Sequence, residues 1–123
     1  MPKMSSDFDF RKPISYDNTA KRAFHSHALR QLKLLANALG LALGAYALSS
    51  NPGGIAVSGE ATLHADHVYV QACQPATGHD TGIMYRTCQG RKDYCGGPNN
   101  FASLDLLNRR EDLARRIKEV CRL

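Results

Sequence analysis

The sequence predicts an α+β two-layer sandwich in which a helix, an antiparallel meander of three or four strands and a second helix follow one another. Two patterns indicate this order: apolar residues recur with the period of a helix near both ends, and they alternate with polar residues in the middle. Hydrophobic residues make up 43% of the 123 residues and charged residues 22%, as in globular proteins. We therefore expect one domain over residues 16–123, preceded by a flexible N-terminal arm at residues 1–15.

The first element is an amphipathic helix that we expect to begin between Asp17 and Thr19 and to end near Leu39. Its apolar stripe consists of Phe24, Ala28, Leu32, Leu35 and Leu39. Its opposite face is polar and basic, and consists of Arg22, Ser26, Arg30, Lys33 and Asn37. We assign His25 to the solvated side of this helix. Gly40 fits the left-handed position that follows a helix end.

The middle of the chain contains four segments in which apolar and polar residues alternate, as they do along a half-buried strand. These segments cover residues 41–47, 55–64, 67–74 and 83–88. A tight turn at residues 65–66 pairs Leu63 with Val68. A longer connection pairs Cys73 with Cys88. Both pairings place the apolar residues on one face, which we expect to lie under the helices while the other face meets solvent.

A loop covers residues 90–102 and leads into a short helical turn. Asn108 is positioned to cap the final helix, and Glu111 three residues later completes a capping box. The apolar stripe of this helix consists of Leu113, Ile117, Val120 and Cys121. Asp112 and Arg115 lie one helical turn apart, so we expect the helix to neutralise part of its own charge.

The sequence contains none of the motifs that mark common catalytic or nucleotide sites, such as a nucleophile elbow or a phosphate-binding glycine loop. We therefore predict a non-enzymatic protein without a cofactor. The N-terminus lacks the apolar run of a secretory signal. The longest apolar stretch, residues 34–48, is shorter than the ~18–20 residues that span a bilayer. These features predict a cytoplasmic location, reduced cysteines and no membrane partner.

A metal or redox site is an alternative that the sequence leaves open. Cys73 and Cys88 are expected to be cross-strand neighbours, which would allow a disulfide or half of a metal site. His64 and His67 flank the tight turn and would complete a site with the two thiols. The cysteine spacings contain no short C-x2–4-C knuckle of a structural zinc centre, so the pattern favours reduced thiols over zinc.

Basic residues are concentrated near the C-terminus, because residues 83–123 hold 9 of the 16 Lys and Arg residues against 5 acids. Arg91 and Lys92 in the loop suit phosphate groups, and Tyr94 suits stacking on a base. We therefore predict a nucleic-acid or nucleoprotein partner, either DNA or RNA. The predicted contacts are Arg91, Lys92, Tyr94, Asn99, Asn100, Arg109, Arg110 and Arg116.

The solvated face of the sheet supplies a second candidate surface. Its predicted contact residues are Thr62, Tyr69, Gln71 and Arg86. Tyrosine and arginine are enriched in protein–protein interfaces. An alternative function is therefore a protein-binding inhibitor that acts through this face.

Two segments resemble a known group of proteins. They are His67-Val68-Tyr69-Val70-Gln71, and the stretch from Arg86-Thr87-Cys88 to Phe101-Ala102-Ser103-Leu104. Through them the C-terminal half of the chain resembles small uncharacterised accessory proteins of bacterial integrative conjugative elements and plasmids. The resemblance implies a setting in a mobile genetic element, where small basic proteins handle nucleic acid or block host defence complexes, as anti-CRISPR proteins do. It assigns no site residues.

Overall fold

A computed structural model describes residues 18–51, 60–73, 82–90 and 97–121. The arm predicted at residues 1–15 lies outside these ranges. The described elements are α1 (Asn18–Ala38), β1 (Tyr46–Asn51), β2 (Glu60–Ala65), β3 (Val68–Cys73), β4 (Ile83–Thr87), β5 (Asn100–Ala102), a 3₁₀ helix (Leu104–Asn108) and α2 (Arg110–Cys121). The strands form one antiparallel sheet in the order β1-β2-β3-β4-β5. The predicted α+β class, a helix, a meander and a second helix, is confirmed.

Helix α1 forms where its apolar stripe predicts it. The stripe lies against the sheet, and the side chains of Phe24, Ala28, Leu32 and Leu35 are fully buried. Gly40 follows the helix with a φ of +79°. This left-handed conformation suits glycine because a Cβ atom would strain the backbone there. At 21 residues α1 is the longer helix, yet none of the described helices is apolar enough over a sufficient length to cross a membrane.

The first strand lies later in the chain than the alternation predicts. Residues 41–45 do not form a strand, because Ala45 N–H donates to the Ala42 carbonyl and closes a tight turn, 2.9 Å. Gly44 supplies the positive φ, +88°, that such a turn needs. Strand β1 therefore begins at Tyr46.

In the described part of the chain the sheet has five strands instead of the expected three or four. The additional strand β5 covers three residues within the segment that we predict as a loop. It is too short to show an alternation of apolar and polar residues. It pairs with β4, where Met84 stands opposite Phe101.

Both predicted registers are wrong, although the predicted faces are correct. Leu63 stands opposite Val70 and not Val68, so the turn lies one residue later, at Asp66 and His67. Cys73 N–H donates to the Gly82 carbonyl, 2.9 Å, and therefore Cys73 does not stand opposite Cys88. In each case the residue that stands opposite a given residue changes by an even number of positions. Because side chains alternate between the two faces of a strand, an even change keeps every side chain on its predicted face.

The helices cover the apolar face of the sheet and form a single core with it. Helix α1 packs on β1 and β2, α2 packs on β4, and the two helices contact each other. Leu113 and Ile117 of α2 are fully buried in this core. The predicted capping box is wrong, because Asn108 ends the 3₁₀ helix. Instead, Arg109 provides the carbonyl that accepts the first helical hydrogen bond of α2, from Leu113 N–H at 3.1 Å.

Candidate nucleic-acid interface

The outer face of α1 carries positive charge without any acidic residue. Arg22, Arg30 and Lys33 are all exposed. The sequence NTAKRAFHSHALRQLKLLANA of the helix contains no Asp or Glu. Arg22 and Lys33 are separated by about 16 Å along the axis, at 1.5 Å per residue. The helix therefore presents a row of cations that no neighbour within the same helix neutralises.

Helix α2 adds further cations beside α1, and part of its charge is neutralised. Arg115 forms an ion pair with Asp112, as the sequence predicts. Arg110 is half-buried, and its Nη1 donates to Gln31 Oε1 of α1 at 3.4 Å. This hydrogen bond ties the start of α2 to the middle of α1. Arg110 therefore helps to hold the helix layer together, whereas Arg109 and Arg116 are exposed, as predicted.

The side chains of five exposed cations on the two helices make no hydrogen bond or ion pair with any residue that the structure describes. They are Arg22, Arg30 and Lys33 on α1 and Arg116 and Lys118 on α2. We call these five residues the cationic helix surface. Because these side chains have no ion-pair partner among the described residues, they are able to contact an anionic ligand without first breaking such a pair.

The sequence predicts contacts in the loop and in the final helix, and the structure describes only part of this set. Arg91, Lys92 and Tyr94 lie outside the described residues. Asn99 is exposed. Asn100 is half-buried, and its Nδ2 donates to the carbonyls of Tyr85 (3.2 Å) and Pro98 (3.1 Å). Both amide hydrogens are thus used to hold β5 in place, so the predicted contact of Asn100 with a ligand would have to use its Oδ1.

Sequence reasoning did not include the exposed cations of α1 among the candidate contacts. We predicted a basic outer face for this helix but assigned the contacts to the loop and to the final helix. The signal was present, because residues 18–59 contain four cations and no acidic residue. The larger number of cations near the C-terminus favours α2 as the predicted contact surface, although ion pairing reduces the excess of positive charge there.

The outer face of the sheet differs from the prediction in one row of residues. Tyr69 and Arg86 are expected in solvent, but their exposed fractions are 9% and 6%, and that of His64 in the same row is 6%. The Arg86 guanidinium lies over the Tyr69 ring, 4.4 Å from its centroid, and the His64 ring packs edge-on against Tyr69 with centroids 5.0 Å apart. His64 Nε2 donates to the Gly90 carbonyl at 3.0 Å. The segment after β4 therefore contacts this row of residues. The row contributes to the fold and does not provide the exposed contact surface that the sequence predicts.

The neighbouring row across the same face remains accessible. It consists of Ser49, Thr62, Gln71, Met84 and Phe101. None of these five side chains is charged, and Phe101 is 53% exposed at the edge of the sheet. Thr62 and Gln71, two of the predicted contacts, are half-buried. The sheet therefore offers a smaller contact surface than predicted, without Tyr69 and Arg86.

His25 is a further correction. It was assigned to solvent, but it is 7% exposed. Its Nδ1 forms a hydrogen bond with Ser50 Oγ of β1 at 2.8 Å. His25 thus lies on the polar side of α1 but is buried where the helix contacts β1 at the edge of the sheet.

The three cysteines that the structure describes do not form the arrangement that a metal or redox site would need. Cys73 and Cys88 are separated along the sheet, and Cys73, Cys88 and Cys121 form no disulfide within the described part of the chain. The described residues bring no three His, Cys, Asp or Glu side chains together, so the candidate ligands Cys73, Cys88, His64 and His67 do not form a cluster. The buried Cys88 thiol donates to the Ala65 carbonyl at 3.3 Å.

Burial raises the pKa of the Cys73 thiol, and the carboxylate of Glu60 raises it further, while a hydrogen bond from Gln71 opposes the shift. Glu60 stands directly opposite Cys73 on β2. Because a thiolate is the form that binds metal and reacts with electrophiles, the raised pKa disfavours both at neutral pH.

We expect the Glu60→Gln variant to react faster than the wild type at Cys73. Removal of the negative charge lowers the pKa of the thiol and increases its thiolate fraction at a given alkaline pH. The measurement is the rate of iodoacetamide alkylation, followed by mass spectrometry of the Cys73 peptide. Cys121 is the internal control, because burial and Cys88 raise its pKa but Glu60 does not contribute. An unchanged rate at Cys73 would contradict the assignment.

The fold and its surface define a two-layer α+β protein with a cationic helix layer on one side of a five-stranded meander. Comparison of the chain with protein-family models, with characterised proteins and with solved structures finds no match to any of them.

Proposed function

We propose that the protein is a non-enzymatic binding protein that engages nucleic acid through its cationic helix surface. The observation that carries this proposal is the set of five exposed cations on α1 and α2 that have no acidic partner among the described residues. The formal net charge of the chain, +5, has the sign that a polyanionic partner requires.

A nucleic acid fits this surface better than an acidic protein does. The cations form an extended row along α1, and phosphates repeat at short regular intervals along a nucleic-acid strand, so several cations meet a phosphate at once. An acidic protein patch would need carboxylates in matching positions. Release of condensed counterions supplies the free energy, and it makes the affinity dependent on salt.

The predicted loop contacts extend the proposal. Arg91 and Lys92 would add phosphate contacts and Tyr94 a stacking contact if the loop lies near α2. The setting in a mobile genetic element comes from the resemblance of the C-terminal half and stays a prediction.

The test is a salt titration of binding. We expect the wild-type protein to bind a fluorescently labelled duplex DNA, a duplex RNA or a single strand at low salt, measured by anisotropy. The logarithm of the binding constant should fall linearly with the logarithm of salt concentration, with a slope of about −0.9 per phosphate contacted on duplex DNA. Absence of binding at low salt, or an affinity that salt does not change, would overturn the proposal.

A second candidate function is inhibition of a host protein complex through the sheet. The observation that favours it is the uncharged outer row, in which Phe101 is 53% exposed beside Met84. Exposed aromatic residues next to apolar neighbours are typical of binding sites for proteins. The Phe101→Ala variant should lose a partner that Arg30→Ala retains. A partner that depends on Arg30 instead would favour the helix surface.

A further inference from the structure

We infer that the cationic helix surface binds a nucleic-acid duplex through its phosphate backbone and contacts no bases. This inference rests on the proposed function and concerns what the same surface recognises. It follows from the position of α1 and α2 in one layer, from the residue types on the outer faces of the helices and from the charges around the groove between them.

The two helices lie side by side on one face of the sheet. Helix α1 packs on β1 and β2, α2 packs on β4, and the two helices contact each other. Arg110 Nη1 of α2 donates to Gln31 Oε1 of α1 at 3.4 Å. On the other flank of α1, His25 Nδ1 is hydrogen-bonded to Ser50 Oγ of β1 at 2.8 Å. Helix α1 is therefore held between α2 and the edge strand, and it does not project from the layer.

This layer is wider than the major groove of DNA. An α-helix with its side chains measures about 10–12 Å across, and the axes of packed helices lie about 8–10 Å apart. Two adjacent helices thus span roughly 20 Å, whereas the major groove of B-DNA is about 12 Å wide. If α1 entered the groove, α2 would collide with the phosphates beside it. The long side chains on the outer face of α1 therefore meet phosphates, which carry no information about base sequence.

The outer faces of the helices contain no aromatic residue on which a base could stack. Phe24 is the single Phe, Tyr or Trp residue of α1 and α2, and it is fully buried. Proteins that bind single strands usually combine basic residues with exposed aromatic side chains. The helix layer has the basic residues alone. A duplex, whose bases are stacked on each other inside, suits this layer better than a single strand does.

The groove between the helices does not offer a site for a base either. It has a volume of about 430 Å³ and lies between Ala38 of α1 and Ala114 of α2. Its other lining residues are two acidic and two basic ones, Glu111, Arg115, Lys118 and Glu119. Because these charges balance, the groove adds no net attraction for the phosphate that accompanies a base. The outer face of α1 carries positive charge alone and is the stronger phosphate site.

The experiment is a selection of bound molecules from a pool of random-sequence duplex DNA, followed by anisotropy titrations of individual duplexes. We expect no enriched motif, and dissociation constants that agree within about threefold among A·T-rich, G·C-rich and mixed duplexes of equal length. Sequence-specific proteins prefer their site by ~10³–10⁷-fold over other DNA. The number of protein molecules bound at saturation should increase with duplex length. A single strand of the same sequence should bind more weakly than the duplex.

Two exposed residues of α1 provide a matched pair of variants. Arg30→Ala should weaken binding to every duplex by the same factor, about fivefold, and should reduce the salt slope by about 0.9. Asn37→Ala should leave the dissociation constants unchanged. Asparagine reads adenine only from within the major groove, and the width of the layer keeps Asn37 outside it.

Three results would overturn this inference and leave the proposed function intact. They are an enriched motif that binds about tenfold or more tightly than other duplexes, a single strand that binds more tightly than the duplex, and a loss of affinity in Asn37→Ala. Absence of salt-dependent binding to any nucleic acid would overturn the proposed function, and this inference with it.

Discussion

Replacement of Arg22, Arg30 and Lys33 by alanine together is expected to weaken nucleic-acid binding by about a hundredfold at low salt. Each contact between a surface cation and a phosphate contributes about 1 kcal/mol, and ~1.4 kcal/mol changes the dissociation constant tenfold. The salt slope should become shallower by about 0.9 for each phosphate of duplex DNA that the variant no longer neutralises. The measurement is the same anisotropy titration as for the wild type. The fold should survive, because all three side chains are exposed.

The matched control for this variant is Arg115→Ala. Arg115 is also an exposed arginine of the helix layer, but its guanidinium is paired with Asp112. We expect this change to affect affinity far less than Arg30→Ala does. If Arg115→Ala and Arg30→Ala weaken binding equally, the net charge of the protein determines binding and the position of the cations does not.

The Phe24→Ala variant is expected to lose about 3–5 kcal/mol of stability. Phe24 is fully buried where α1 packs on the sheet, and its ring meets the His25 ring edge-on with centroids 5.5 Å apart. A domain of this size usually has a free energy of unfolding of about 5–15 kcal/mol, so the substitution removes a large part of it. Urea denaturation followed by circular dichroism measures the change.

Phe101→Ala is the control for Phe24→Ala, since it makes the same substitution in a side chain that is 53% exposed. We expect it to cost below ~1 kcal/mol, as surface substitutions usually do. Comparable destabilisation in the two variants would contradict the burial of Phe24 in the core and with it the position of α1.

The periodic parts of the fold could be predicted from the sequence. The stripe from Phe24 to Leu35 repeats over three turns, and one pattern of that length fixes both a helix and its buried side. The alternation in residues 60–73 and 83–87 likewise fixes which side chains face the core. These predictions depend on the period of the side chains, which an even shift of register does not change.

Features that depend on exact turn positions could not be predicted in the same way. A turn at residues 65–66 and a turn at Asp66 and His67 both satisfy the apolar pattern, and backbone hydrogen bonds decide between them. The predicted pairing of Cys73 with Cys88 was wrong for this reason, and it was the main argument for a metal site. The three-residue strand β5 has no period of its own.

The candidate site was predicted in part. The sequence indicates that Arg109 and Arg116 are exposed, and they are, Arg109 directly before the final helix and Arg116 on it. It does not indicate that the segment after β4 contacts the outer face of the sheet, where His64 reaches the Gly90 carbonyl. Contacts of this kind join residues far apart in the chain and leave no local pattern. Ion pairing likewise depends on which side chains meet. A count of cations alone therefore overestimates the unpaired positive charge of α2 relative to that of α1.

The most direct test of the central claim is a backbone amide NMR titration of the wild-type protein with a short duplex DNA and a single-stranded RNA. The account predicts that the shifts concentrate on the outer faces of α1 and α2, around Arg22, Arg30, Lys33 and Arg116, and disappear at high salt. Shifts confined to the outer sheet face, around Thr62, Gln71 and Phe101, would contradict it.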